Sequence, residues 1–398
     1  MKTKDNKTHI GIYGRRNNGK SSIINTLAQQ NIAIVSDIAG TTTDPVKKSF
    51  EILNYAPVIL IDTAGIDDEG YLGEKRIEKS FETIANIDLG IIVITDNTFS
   101  EYEKLLVEEF ENYKTPFLII HNKSDINKIT PDFKEKIEEK YNTIVVEYST
   151  VNPDNDTLIE AIKKSAPDAS KANPSIIGDL LQANDIVLLI CPIDSEAPVG
   201  RMILPQVQLI RDILDNMCIS VVLQPQQVES YLKSTKTNPK LVITDSQIFK
   251  EADKLIPRNI PLTSFSTVLA RYKGNFDEYI KGTPQIDKLK DNDRVLILES
   301  CSHHVSCEDI GRNKLPNWLK KHTGKNIEYD IIAGLSNIER PITDYALIIQ
   351  CGGCMITKKQ LSNRLLPAIK AGIPVTNYGL AIAYMHGIYE RAVAPFKM

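Results

Sequence analysis

Three cysteines pose the first chemical question. Cys301 opens the triplet Cys301-Ser302-His303, and further on the chain reads Cys351-Gly352-Gly353-Cys354. Two thiolates spaced three apart can approach one metal centre, and the glycines between them let the backbone come close. Three thiolates satisfy three irons of a [4Fe–4S] cluster and leave one iron for another ligand. Structural zinc, with His303 as fourth ligand, is a competing reading. A redox dithiol is a third, weakened by glycines where a dipolar helix start would activate Cys351. Apolar runs at 295–298 and 346–349 read as buried parallel strands. They deliver the thiols at their C-terminal ends, the edge at which open parallel sheets bind ligands.

A second group of residues is built for phosphate. Gly14-Arg15-Arg16-Asn17-Asn18-Gly19-Lys20-Ser21 follows a short apolar strand, and Ser22 continues it into a helical stretch. Backbone N–H groups of such a loop cradle phosphate oxygens. Lys20 reaches the β- and γ-phosphates and Ser21 ligates Mg2+. The run 58–61 ends in Asp62-Thr63-Ala64-Gly65, placing Asp62 on magnesium through water and the Gly65 N–H on the γ-phosphate. The run 117–121 ends in Asn122-Lys123-Ser124-Asp125. Asp125 pairs with the N1 and 2-amino donors of guanine, which adenine lacks. Ser149, after the run 144–146, falls where a backbone N–H meets guanine O6. Ile66 stands where a glutamine could orient the attacking water, so slow GTP hydrolysis is expected, with Lys20, Thr42 and Gly65 as its catalytic groups.

The first 160 or so residues resemble the TrmE/Era-like GTPases. Gly40-Thr41-Thr42-Thr43-Asp44 is similar to that group's first switch, with Thr43 in place of arginine. The resemblance makes Thr42 the magnesium-binding threonine, with Thr41 next in line. It also implies a K+ ion held by Asn17, which would supply positive charge near the phosphates.

Across nearly the full chain, the order of GTPase motifs, small middle segment, C-x-H and C-x-x-C resembles the HydF family, GTPase scaffolds of [FeFe]-hydrogenase maturation. That resemblance implies a [4Fe–4S] cluster on Cys301, Cys351 and Cys354. It implies a transient di-iron (2Fe) precursor with carbonyl and cyanide ligands, assembled or carried there. The partners it implies are the radical-SAM maturases HydE and HydG, which supply the precursor, and the apo-[FeFe]-hydrogenase that receives it. Many members place a histidine before the C-x-x-C, where this chain has Gln350. The fourth cluster position stays open among His303, Glu308 and Cys307.

The bulk properties fit this frame. The 398 residues, 42% hydrophobic and 25% charged, suit a soluble globular α/β protein. No apolar run nears the ~20 residues of a membrane span, and no leader peptide is visible, so a cytoplasmic location is expected. The net charge of −4 argues against nucleic-acid binding, and so against the alternative of an RNA- or ribosome-associated assembly GTPase with a C-terminal zinc module. The expected division is a P-loop GTPase domain (1–168), a small α/β middle domain (175–262) and an α/β cluster-binding domain (263–398). The middle segment carries Cys191 and Cys218, read as buried structural thiols, and a 195–202 loop without a recognisable mechanism. Its sheet edge is the expected dimer contact, giving a homodimer or higher homo-oligomer.

Overall fold

The computed structural model describes residues 8–29, 36–38, 46–51, 57–65, 71–166, 175–193, 202–300, 310–354 and 356–397. Thr41, Thr42, Ile66, the 195–201 loop, Cys301, His303, Cys307 and Glu308 lie outside them. The chain forms two compact units, Met1–Pro174 and Ser175–Met398.

The first unit alternates β1 (Thr8–Gly14), α1 (Lys20–Gln29), β2 (Ser36–Ile38), β3 (Val46–Glu51), β4 (Pro57–Asp62), α2 (Tyr71–Ile84), β5 (Leu89–Ile94), α3 (Glu101–Asn112), β6 (Phe117–His121), α4 (Pro131–Tyr141), β7 (Val145–Glu147) and α5 (Asn155–Ser165). The sheet order is β2-β3-β4-β1-β5-β6-β7. β2 and β3 run antiparallel at one edge; the rest are parallel. Every residue of β5 is buried, because helices cover both faces of the sheet. Ile23, Leu27, Leu158 and Ile162 of α1 and α5 cover one face. Ile84, Leu106, Phe110 and Ile137 of α2, α3 and α4 cover the other. α3 starts sharply because the Ser100 N–H donates to Glu103 Oε2 at 2.8 Å, one arm of a capping box.

The second unit contains β8 (Ile186–Ile190), α6 (Leu204–Asp215), β9 (Ile219–Leu223), α7 (Val228–Ser234), β10 (Leu241–Thr244), α8 (Phe249–Leu255), β11 (Leu262–Ser264), α9 (Phe265–Lys273) and α10 (Phe276–Gly282), then β12 (Arg294–Leu298), α11 (Leu315–Thr323), β13 (Glu328–Ile332), β14 (Leu347–Gln350), α12 (Lys358–Lys370), β15 (Val375–Asn377), α13 (Tyr378–Met385) and α14 (Tyr389–Val393). Its two four-stranded sheets run β9-β8-β10-β11 and β13-β12-β14-β15, in the same order. All pairings in both are parallel.

The two halves are therefore a structural repeat. Ile260-Pro-Leu-Thr-Ser-Phe265 enters α9 as Ile373-Pro-Val-Thr-Asn-Tyr378 enters α13. Ser264 caps α9 by accepting from Thr267 N; Asn377 caps α13 by accepting from Gly379 N. The two helices cross closely enough that a Cβ on Gly379 would lie 2.6 Å from Ser266 Cβ and 2.8 Å from Thr267 N. Each half also completes the core of the other. Ala270 of α9 joins the core around Leu296, Ile348 and Val375. Ala383, Ile388 and Ala392 join the core around Leu188, Val242 and Leu262. Arg391 fastens this exchange, donating to the Ile256 and Pro257 carbonyls at 2.9 and 2.7 Å and to Asp253 Oδ1 at 2.8 Å.

The boundary expected between 262 and 263 falls inside β11, which pairs with β10 in the first sheet. Pairing is non-local, so a three-residue strand could not be assigned to either side from its own residues. The first half runs through Lys273, and residues 167–174, around the expected end of the GTPase domain, lie outside the described residues.

Candidate functional site

The phosphate loop joins β1 to α1. Gly14 and Gly19 adopt φ of 143° and 92°, which side-chain-bearing residues avoid. Lys20 is buried, and its Nζ donates to the Gly14 and Arg15 carbonyls at 2.9 Å each. That folds the ammonium across the loop, where a phosphate would draw it outward. Ser21 Oγ donates to Asp62 Oδ2 at 2.6 Å, so the two expected magnesium groups already meet. Asp62 Oδ1 is buried without a partner among the described residues. Burial pushes the carboxyl up, only partly offset by Ser21, Lys20 and Lys48. An unmet buried carboxylate beside a hydroxyl fits a hard divalent cation. Gly65, buried, follows at the sheet edge. Asn17 has φ of 59° and is exposed, as is Ser22.

The guanine-reading residues assemble around the same loop. Asn122 Nδ2 donates to the Asn18 carbonyl at 2.7 Å, tying the end of β6 to the phosphate loop. Asn18 turns its side chain inward, donating to the Val93 carbonyl at 2.8 Å, so what it offers a nucleotide is main chain. Ser149 Oγ donates to Asp125 Oδ1 at 2.5 Å. Lys123, at φ 60°, turns the strand end so that Asp125 and Ser149 meet. Sequence motifs gave no hint of Arg15, which donates through Nε to Glu103 Oε1 at 2.8 Å, and through a second nitrogen to Ser100 Oγ, anchoring the loop to α3.

The thiol rim lies where β12 and β14 end side by side. The Cys351 N–H donates to the Leu298 carbonyl at 2.9 Å. Its Sγ accepts from the Ser300 N–H at 3.1 Å and from Gln350 Nε2 at 3.4 Å, and its S–H reaches Ser300 Oγ at 3.0 Å. Two N–H donors are thus aimed at one sulfur, which fixes its position at the strand end. Gln350 is fully buried; it supports Cys351 rather than facing the rim as a ligand. Cys351 and Cys354 are both half-buried. Among the described residues alone, no cluster of three or more His, Cys, Asp or Glu side chains is gathered for a metal. Cys218 is buried, as expected; Cys191 is half-buried, and burial, with Asp245 nearby, pushes its thiol up to about 12.

Two cations at the rim escaped sequence reasoning. Arg364 of α12 donates to the Glu299 and Ile332 carbonyls at 2.7 and 3.1 Å, pinning the ends of β12 and β13. Burial depresses its basicity despite Cys351, Tyr378 and Glu299 nearby. Lys273 of α9, 3% exposed, donates to the Gly353 and Ile356 carbonyls at 2.9 and 3.0 Å. The repeated hexapeptides ahead of α9 and α13 were the signal that could have linked Lys273 to this rim.

The hydrogen maturase F dimerization domain profile matches residues 176–274, and the hydrogen maturase F tetramerization domain profile matches 277–395. A profile described as 50S ribosome-binding GTPase matches 9–123. The tRNA modification GTPase MnmE of Mycoplasma genitalium is 38% identical over 136 residues, 34% of this chain and 30% of that protein. GTPase Der of Mycoplasma capricolum is 36% identical over 146 residues, 35% of this chain and 33% of that protein. The chain thus spans about a third of the length of these relatives. Among solved structures, Aquifex aeolicus Era bound to GDP and aluminium fluoride is similar at 18% identity, covering 56% of this chain and 97% of that one, with a TM-score of 0.34. The T. maritima FeoB G domain is similar at 21% identity, 40% and 98% coverage, and a TM-score of 0.32. No helix among the described residues is long and apolar enough to cross a membrane. A GTPase domain built for GTP and Mg2+, followed by both hydrogen maturase F oligomerization domains, identifies the chain as a member of the HydF family.

Proposed function

We propose that this chain is a cytoplasmic GTP-hydrolysing scaffold that holds a [4Fe–4S] cluster and assembles or delivers the di-iron precursor of the hydrogenase active site. The observation that carries the reading is the 3.1 Å contact between Cys351 Sγ and the Ser300 N–H. It sets Ser300, the residue before Cys301 in sequence, against the C-x-x-C segment, and this supports the reading. Cys301, Cys351 and Cys354 would hold the cluster, with His303, Glu308 or Cys307 completing it. The bound cluster would supply an iron with an exchangeable ligand, to which the precursor could anchor. Ser300, Gln350 and Arg364 orient the cysteine-bearing strand ends. HydE and HydG are the proposed sources of the precursor, and the apo-[FeFe]-hydrogenase its destination.

In the GTPase domain, Lys20 and the Gly65 N–H hold phosphate, while Ser21, Thr42 and Asp62 hold magnesium. Asn17 is proposed to bind K+, whose charge would offset the missing glutamine at Ile66. Hydrolysis would be slow and would time the binding or release of partners through the switch segment at 40–44.

Anaerobic reconstitution with iron and sulfide, followed by EPR of the reduced protein, tests the reading. The wild type should give a [4Fe–4S] signal that Cys301→Ala, Cys351→Ala and Cys354→Ala each lose. One tightly held zinc per chain without a cluster signal would overturn it in favour of an RNA-associated GTPase with a zinc module.

A further inference from the structure

We infer that Lys273 is the positioning cation of the Cys351–Cys354 loop, contributed by one half of the repeat to the ligand rim of the other. The inference rests on the cluster reading above. Lys273 ends α9, whose preceding strand β11 belongs to the first sheet. Yet its Nζ lies against the Gly353 and Ile356 carbonyls, at 2.9 and 3.0 Å, on either side of Cys354.

Two features distinguish this contact from ordinary surface capping. The side chain is 3% exposed, and a buried ammonium is unfavourable unless it is met by oxygens or negative charge. The carbonyls it meets also belong to a loop of paired glycines, which has little conformational preference of its own. Holding Gly353 and Ile356 from one point brackets Cys354. In the second half, His386-Gly387 follows α13 where Lys273-Gly274 closes α9. A cation is therefore present only on the copy of the helix that crosses to the cysteine-bearing loop.

A three-thiolate [4Fe–4S] cluster becomes more negative on reduction. A fixed positive charge in a poorly hydrated setting stabilises that reduced state and raises the potential. Lys273 thus does two things: it shapes the loop through hydrogen bonds and biases the cluster through charge. Lys273→Arg keeps the charge, Lys273→Gln keeps a donor without charge, and Lys273→Met keeps only the stem.

The experiment reconstitutes the full-length wild type and the three variants, then measures iron per chain, EPR spectrum and reduction potential, with GTP hydrolysis and circular dichroism as controls. Lys273→Met is expected to lose cluster content several-fold with GTP hydrolysis unchanged. Lys273→Gln should retain part of the cluster, at a more negative potential and with shifted g-values, while Lys273→Arg stays near the wild type. A Lys273→Gln protein with wild-type content, spectrum and potential would overturn the inference and leave the cluster reading standing. A wild type that takes up no cluster would sink both. Loss of the folded C-terminal unit in all three variants would make Lys273 a packing residue and also overturn it.

Discussion

At the scale of single residues, the GTPase centre depends on groups whose types chemistry dictates. Asp62 is half-buried, with one oxygen enclosed and unmet among the described residues, so a cation there relieves a standing desolvation cost. Asp62→Ala is expected to lower turnover at saturating GTP by about 10²-fold, in the range for losing one preorganised electrostatic group. It should also raise the Mg2+ concentration for half-activity; an unchanged Mg2+ titration would contradict the assignment. The Glu103 carboxyl behaves oppositely. Burial pushes it up, but hydrogen bonds from Arg15 and the Ser100 N–H, with the Arg15 charge, more than reverse this. A depressed carboxyl contributes stability that is complete above its ordinary value of 4.5 and lost as pH falls through the lowered one. Glu103→Gln should therefore cost about 2 kcal/mol at neutral pH and flatten the acid limb of domain stability below pH 4.5. Matching acid limbs in urea titrations would refute this. The motifs exposed Lys20, Asp62 and Asp125, because phosphate and guanine fix both type and spacing. They left Arg15 and Glu103 unpaired, because partners 88 positions apart leave no local mark.

At the scale of elements, apolar runs located the strands that matter. β6 matches its expected span, β12 begins one residue before its expected start, and β14 is shifted by one residue. Hydrophobic periodicity is a local property, so it survives without knowledge of the fold. What it does not carry is pairing, and the misplaced boundary at β11 is the result. The crossing of α9 over α13 is likewise a contact between distant segments. It is specified by Gly379, whose missing side chain lets the helices approach. Gly379→Val should destabilise the C-terminal unit by about 3 kcal/mol, the upper range for forced overpacking. Chemical unfolding monitored by tyrosine and Trp318 fluorescence would register it. GTP hydrolysis should be unaffected, and a wild-type unfolding midpoint would refute the close packing.

At the scale of the whole molecule, the family's oligomerization domains call for surfaces that meet other copies. β9 is the edge of its sheet, and around it Ile219, Val222, Leu214, Met217 and Val207 are 40–74% exposed. An apolar sheet edge of this kind favours strand addition by a second copy. Val222→Lys is expected to shift the protein toward smaller species in light scattering; an unchanged mass would exclude this edge. The switch proposal belongs to the same scale. GTP- and GDP-loaded protein should differ in affinity for HydE, HydG or hydrogenase, and equal affinities and kinetics would remove it. The exchange of core residues between the halves of the repeat also has a consequence in the cell. The sheet of β8 to β11 emerges from the ribosome well before Ala383, Ile388 and Ala392, which complete its core. That sheet must wait, partly uncovered, for the later half to be synthesised. The thiol rim and its covering helix α9 can then close only together, so nascent chains should neither bind metal early nor tolerate being split at the seam between the two halves.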